Sequence, residues 1–170
     1  KHHCCNGSIS SAGSTGNTFY YELQTNTKPG NYTIEATQGT LTIEQADGLE
    51  VSAENVVKQY DGSAYGVDAG ANIEAGTKIY YATSPSSDPT QYKLEASPTA
   101  THVDESLTVY FVAVNGNYKP DFGQASITIT PRAIVLTGAT ESKSYDGAEL
   151  ANAAVIQTGD GFLSGEGFET

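Results

Sequence analysis

Apolar and polar residues alternate with a period of two along much of this chain. Ala125-Ser126-Ile127-Thr128-Ile129-Thr130 places Ile127 and Ile129 on one face and Ser or Thr on the other. Thr40-Leu41-Thr42-Ile43-Glu44 does the same with Leu41 and Ile43. Leu49, Val51 and Ala53 alternate with Glu50 and Ser52, and Tyr92, Leu94 and Ala96 with Lys93 and Glu95. Successive side chains leave a strand on opposite faces, so this period predicts half-buried strands. Leu107-Thr108-Val109-Tyr110-Phe111-Val112-Ala113-Val114 begins by alternating and then turns apolar at every position, which predicts a central strand covered on both faces. Thr77 to Thr83 and Asn17 to Leu23, rich in Tyr and Phe, predict two more strands. Pro29-Gly30-Asn31, Ala46-Asp47-Gly48, Asp61-Gly62, Asn115-Gly116-Asn117 and Gly159-Asp160-Gly161 supply the turns between them. No window of 11 or more residues carries a helical period with caps. The expected class is all-β, in tandem small β-domains. Each is expected to be an Ig-like sandwich, with a β-grasp arrangement as the alternative although Gly62 to Gly76 makes a poor helix.

The same landmarks recur. Gly30-Asn31-Tyr32 leads to Thr40-Leu41-Thr42-Ile43 and then Tyr60-Asp61-Gly62; Gly116-Asn117-Tyr118 leads to Ser126-Ile127-Thr128-Ile129 and then Tyr145-Asp146-Gly147. The first landmark shifts by 86 residues (30 to 116) and the last by 85 (60 to 145). Order and spacing held this closely predict tandem structural units. Residues 48–131 read as one complete unit, 1–47 as the C-terminal half of an earlier one, and 132–170 as the N-terminal half of a later one. The chain has no Met, and with two half-units it is expected to be an excerpt from a longer array. Gln45-Ala46-Asp47 and Thr130-Pro131-Arg132 are very short junctions, which predicts a semi-rigid rod.

Composition narrows the partners. The 170 residues hold 8 basic and 20 acidic side chains, a net charge of −12. Nucleic acid and anionic membrane surfaces both require a positive face, so neither is an expected partner. No apolar run reaches the roughly 18–20 residues that span a bilayer, so no membrane insertion is expected. Only 16% of residues are charged; 15 Ser and 20 Thr take the polar positions instead.

Several motifs resemble a known family. Lys58-Gln59-Tyr60-Asp61-Gly62 and Lys143-Ser144-Tyr145-Asp146-Gly147 resemble the K-x-YDG signature of bacterial surface repeats. Gly159-Asp160-Gly161-Phe162-Leu163-Ser164-Gly165-Glu166-Gly167 is similar to their G-D-G-x-x-x-G-E-G run. Asn31-Tyr32-Thr33-Ile34 with Gly39-Thr40-Leu41-Thr42-Ile43 resembles their closing strands, and Ile129 to Leu136 their usual junction. These are the MBG/YDG-type tandem repeats of Gram-positive cell-surface adhesins, and the resemblance runs from about Gly13 to Gly167. It implies extracellular, wall-attached stalk or adhesion modules and brings no catalytic residues with it. Gly66-Val67-Asp68-Ala69-Gly70 departs from the G-D-G-F pattern.

Each candidate for chemistry has a plainer reading. His2-His3-Cys4-Cys5 holds four ligand types, but zinc sites space their ligands in pairs a few residues apart. An extraneous terminus is the favoured reading, ahead of a disulfide or a metal site. Asp47, Glu50, Asp160, Glu166 and Glu169 are the nearest Ca²⁺ candidates, but no D-x-D-x-D-G loop is present and a solvated acidic surface is favoured. Lys58, Lys78 or Lys93 with Asn115 or Asn117 are candidates for an isopeptide bond, although Lys is usually exposed. His102 is the one His away from the terminus, and nothing marks a nucleophile beside it. Lys78-Ile79-Tyr80-Tyr81 with Ser84-Pro85-Ser86-Ser87-Asp88-Pro89 is a candidate carbohydrate platform; sheet-packing Tyr is favoured. Tyr60-Asp61-Gly62 and Tyr145-Asp146-Gly147 read as turns whose Tyr packs on the sheet.

No catalytic, cofactor-binding or metal residue and no cofactor is therefore assigned, and no enzyme is expected. The expected role is a structural and adhesive stalk segment at the cell surface or wall. Its expected partners are neighbouring repeats of the same polypeptide. Direct contact with host glycan, mucin or protein is the alternative, and an ancillary domain of an extracellular glycosidase a third. The two terminal half-units are expected to pair with each other, within or between chains, because each leaves strand edges open.

Overall fold

A computed structural model describes residues 4–5 and 7–169. The strands run β1 (Cys4–Cys5), β2 (Gly13–Asn17), β3 (Phe19–Tyr20), β4 (Gly39–Ile43), β5 (Val51–Ala53), β6 (Val56–Gln59), β7 (Tyr65–Gly66), β8 (Ala69–Ala71), β9 (Thr77–Ala82), β10 (Thr99–Ala100), β11 (Leu107–Asn115), β12 (Tyr118–Thr130), β13 (Ile134–Gly138) and β14 (Val155–Gly159). The fold is all-β. Among the described residues no helix reaches 7 residues, so nothing lies across a sheet as a β-grasp helix does. None is long and apolar enough to cross a membrane.

The central sheet has the order β6-β12-β11-β9. The pairs β11–β12 and β11–β9 are antiparallel, while β6 runs parallel to β12. Two antiparallel ribbons, β5–β8 and β7–β10, supply apolar side chains to the same core. Leu49, Val51, Val67 and Ala100 meet Val109, Phe111, Ala113, Ala125, Ile127 and Ile129 there. This layering is compatible with a β-sandwich. The alternation of Ile127 and Ile129 with Thr builds one face of it, with the two isoleucines 1% and 2% exposed. All the buried apolar side chains among the described residues fall between Leu49 and Ile129.

β11 is covered on both faces, as its continuous apolar run predicts. Val112 is fully buried on the face opposite Phe111. Its cross-strand neighbours are Tyr80 and Phe122, and Tyr92 closes over Phe122 at 5.7 Å between ring centroids. Tyr92 sits just after the single-turn 3-10 segment Pro89–Gln91. Its hydroxyl donates to the Ser86 carbonyl and accepts from the Ser86 N–H. Here the period-two reading fails: Tyr92, Leu94 and Ala96 share no buried face. Leu94 makes only an isolated bridge to Tyr81 and is 44% exposed. The 3-10 turn and the Ser86 anchor direct Tyr92 onto the sheet while the chain leaves it.

The flanking segments are thin. β2 and β4 form a two-stranded sheet at the N-terminal side, and β13 and β14 another at the C-terminal side. The strand expected from Asn17 to Leu23 shortens to β3, and Pro29-Gly30-Asn31 is a 3-10 turn. Neither flanking sheet pairs with the other within the chain. Each is two strands wide and keeps apolar residues exposed, Ile43 and Leu136 among them.

Phe111 faces Gly123 across the β11–β12 pair, and its ring occupies the space a Gly123 Cβ would need. Phe111 is 1% exposed and has nowhere to move. Gly123→Ala is expected to destabilise the fold by about 1–3 kcal/mol, read as a lower urea midpoint at unchanged slope. Adding Phe111→Leu is expected to cost less than the two single losses summed, because the residues share one space.

Candidate functional site

Both ends of β12 are attachment points. At its start, the Ala46 N–H donates to the Asn117 carbonyl at 2.9 Å, and the Lys119 N–H donates to the Ala46 carbonyl at 2.9 Å. Gln45 Nε2 donates to the carbonyls of Asn115 and Gly116, and the Ala12 N–H donates to Asn117 Oδ1. Asn115 holds the same hairpin tip from inside. It is 5% exposed, the one buried polar residue among those described. Its Nδ2 donates to the Ala75 carbonyl and Thr77 Oγ1, and its Oδ1 accepts from the Asn117 N–H. Its polar atoms are thereby paired, as burial demands. The recurrent Gly116-Asn117-Tyr118 landmark is thus where the preceding segment docks. Lys119 and Asp47 add an ion pair at 2.8 Å, both exposed and of small energetic weight.

At the far end, Arg132 is the organiser. It is the one arginine in the chain. Its Nε donates to the Gly161 carbonyl at 2.9 Å, Nη2 to the Asp160 carbonyl at 2.5 Å, and Nη1 to the Tyr60 carbonyl at 3.3 Å. A rigid guanidinium fork serves three carbonyls from two segments, which a lysine ammonium cannot do with the same fixed geometry. Asp160 completes the clamp. Its Oδ2 accepts from the Ala133 N–H at 2.9 Å and from Gln59 Nε2 at 2.8 Å. These two bonds, with the Arg132 charge beside them, hold the Asp160 carboxyl below the ordinary aspartate value. The Tyr60 hydroxyl donates to Glu166 Oε1, and that bond raises the Tyr60 pKa. Leu163 lies against Gly62. The run from Gly159 to Gly167 therefore lies over Tyr60-Asp61-Gly62. Two motifs about 100 residues apart in sequence form one interface.

The two Tyr-Asp-Gly turns share a geometry. Asp61 Oδ1 accepts from the Ser63 N–H and Asp146 Oδ1 from the Ala148 N–H, each two residues on. Gly62 and Gly147 take φ of 81° and 78°, a region other residues rarely enter. Their tyrosines differ. Tyr60 is half-buried against Glu166 and the His102 ring. Tyr145 is 97% exposed, so the expectation that it packs on a sheet is corrected. Tyr60 lies beside the end of β12, and among the described residues no strand takes that place beside Tyr145.

The other candidates are not brought together. Asp47 and Glu50 lie at one end of the central segment, while Asp160 and Glu166 bind Ala133 and Tyr60 at the other. Among the described residues no three His, Cys, Asp or Glu side chains converge as a metal site requires. Of His2-His3-Cys4-Cys5, only the backbone of Cys4–Cys5 belongs to the described residues, so that cluster lies outside them. Lys58, Lys78 and Lys93 are exposed, and the amide of Asn115 is committed to Ala75, Thr77 and Asn117. His102 pairs with Glu105 at 3.3 Å, and Glu105 also accepts from the Thr101 and His102 N–H groups. In the carbohydrate platform, Tyr81 turns into the core at 8% exposure and presents no ring face for stacking, while Tyr80, its neighbour on β9, is half-buried. Sequence reading missed Arg132. Its signal was available: the chain's sole arginine lies within the short junction Thr130-Pro131-Arg132.

Arg132→Ala and Arg132→Lys are both expected to release the Gly159 to Gly167 run from Tyr60-Asp61-Gly62 while leaving the core intact. Amide shift changes confined to residues 59–62 and 159–167 would show this; shifts spread through the core would count against it. The pH dependence has a definite sign. A carboxyl whose folded pKa is depressed stabilises the docked state above its unfolded pKa, and that contribution is lost as pH falls through the folded value. The Asp160 contacts are therefore intact at neutral pH and are expected to open on acidification below the ordinary aspartate range. An NMR titration of the Ala133 amide checks this, and Asp160→Asn should flatten it.

No family model, curated protein or solved structure is significantly similar to this chain.

Proposed function

We propose that this chain is a structural and adhesive repeat segment of an extracellular bacterial surface protein, acting as a semi-rigid stalk. The supporting observation is the pair of docked junctions at opposite ends of β12. Each holds a flanking segment through several directed hydrogen bonds in place of a free linker. A hinge would leave these donors and acceptors to water. The internal repeat, read as residues 1–47, 48–131 and 132–170, supports the same reading, as do the Tyr-Asp-Gly and Gly-Asp-Gly motifs that meet at one junction. Thr and Ser on strand faces keep such a rod hydrated without dense charge.

A stalk transmits position, so the angle between neighbouring segments must be narrow. Spin labels at Glu95 and Glu149, in a chain with Cys4 and Cys5 replaced by Ser, are expected to give a single narrow distance distribution, broadened by Arg132→Ala. A broad distribution in the unaltered junction overturns the stalk. Glycan-array and mucin binding by the same chain would instead support the alternative of direct host contact.

A further inference from the structure

We infer that the central segment is a mechanical clamp, which carries tension passed along the chain through Ala46 and Pro131. This deepens the stalk reading and rests on it: a stalk holds a direction, whereas a clamp resists being pulled apart. The carrying observation is a pairing that runs the length of β12. The chain enters at Ala46, which bridges Tyr118 in parallel. Further on, the Val51 N–H donates to Asp121 Oδ2 at 2.8 Å, and the Ser126 N–H donates to Asn55 Oδ1 at 2.9 Å. β6 then pairs with β12 in parallel, from Val56 opposite Ile127 to Gln59 opposite Thr130. The Tyr60 N–H closes the run on the Thr130 carbonyl at 2.8 Å, and Thr130 Oγ1 donates to the Lys58 carbonyl. The side-chain bonds of this run join residues 70 to 72 positions apart, so one register holds throughout. The entering chain and the leaving strand lie side by side and point the same way. They do so along the 13 residues of β12, about 40 Å at ~3.3 Å per residue.

Parallel order fixes how a pull is felt. Tension draws Ala46 back past the start of β12 and Pro131 forward past its end. The two strands are then driven to slide along each other, and every bond between them is strained at once. A chain that entered and left at the same end would open the same bonds one after another. Each hydrogen bond is weak alone; loaded together, they must fail together. Burial locks the register as well. Leu49 and Val51 of the entering chain lie in the core with Ala125, Ile127 and Ile129. Side chains alternate faces along a strand, so a one-residue slip would turn Glu50 and Ser52 inward and Val51 outward. The alternation that builds the core thus also opposes sliding. Every member of the clamp lies between Ala46 and Thr130.

Single-molecule force spectroscopy on the full chain tests this, with handles on cysteines introduced in a Cys4→Ser, Cys5→Ser background. Glu44→Cys with Ala133→Cys loads the pair from opposite ends, and both positions are exposed. Glu44→Cys with Gly116→Cys loads it from one end. Gly116 is exposed at the tip of the β11–β12 hairpin, where a Cβ meets open space. Pulled from opposite ends, the central segment is expected to open in one event, at a force several-fold above that of the same-end geometry. That event should release the 85 residues from Ala46 to Thr130 and lengthen the chain by about 260 Å. Equal forces in the two geometries overturn the inference, as does opening from opposite ends in a series of small steps.

A pair of proline variants locates the strength. Backbone groups alternate sides along a strand. With the Tyr60 N–H on β12, the Lys58 N–H also faces β12, while the Val57 N–H faces away from it. β6 is an edge strand, where proline is tolerated if its nitrogen faces outward. Lys58→Pro is expected to bring the opposite-end force down toward the same-end value, and Val57→Pro to leave it high. Equal forces for the two variants count against the clamp. The spin-label distribution is recorded without load. A clamp that fails therefore leaves the stalk reading standing, and a broad distribution overturns the stalk whatever the force ratio.

Discussion

The structure depends on β12. This one strand carries the alternation that builds a core face, pairs with β11 and β6 on its two edges, and anchors a flanking segment at each end. Its length is what makes this work. Thirteen residues are enough to bury Ala125, Ile127 and Ile129 while the Lys119 N–H donates to the Ala46 carbonyl at one end and the Thr130 carbonyl accepts from the Tyr60 N–H at the other. The hydrophobic term is concentrated in its second half and in the facing residues of β11, where full burial of a Val, Ile or Phe is worth about 1.5–3 kcal/mol each. The directed hydrogen bonds are concentrated at its ends. Burial thus gives the fold its stability, and the polar ends give it direction.

The polar chemistry follows from that division. With few charges, the chain relies on amides, carbonyls and hydroxyls for its junctions. Arg132, Asp160, Glu166 and the Lys119–Asp47 pair are the exceptions, and Arg132 and Asp160 are used mainly for geometry. Arg132 donates to carbonyls, and Asp160 accepts from a backbone N–H and an amide side chain. Such bonds to charged groups are stronger than neutral ones and fix orientation as well as distance. The acidic side chains elsewhere are exposed except Asp121, which is half-buried and accepts from the Val51 N–H, and among the described residues no three converge as a metal site requires.

Much of the fold was legible because it is local. Strand spans such as 107–115 and 125–130 follow from side-chain alternation, and the two Tyr-Asp-Gly turns follow from Asp and Gly chemistry that needs no tertiary partner. The misreadings share one cause. Tyr92-Leu94-Ala96 and Tyr145 carry the right local pattern, but whether a face is buried depends on what lies across from it. Tyr92 finds Phe122 and Ser86; Leu94 and Tyr145 find solvent. The junction residues were illegible for a related reason. Arg132 contacts residues 28 and 72 positions away, and no local period encodes those distances.

The sequence by itself determined an all-β chain, the positions of its main strands and turns, and the 85- to 86-residue recurrence of its landmarks, because period-two alternation and turn chemistry act over a few residues. Only the tertiary structure decided where one copy of each landmark sits. Gly116-Asn117-Tyr118 and Tyr60-Asp61-Gly62 sit at the two ends of the central sheet, where a neighbouring segment meets exposed backbone donors and acceptors. The alternation states which residues share a face; the packing of β5–β8 and β7–β10 on the sheet states which faces are covered, because burial is a property of two surfaces and never of one.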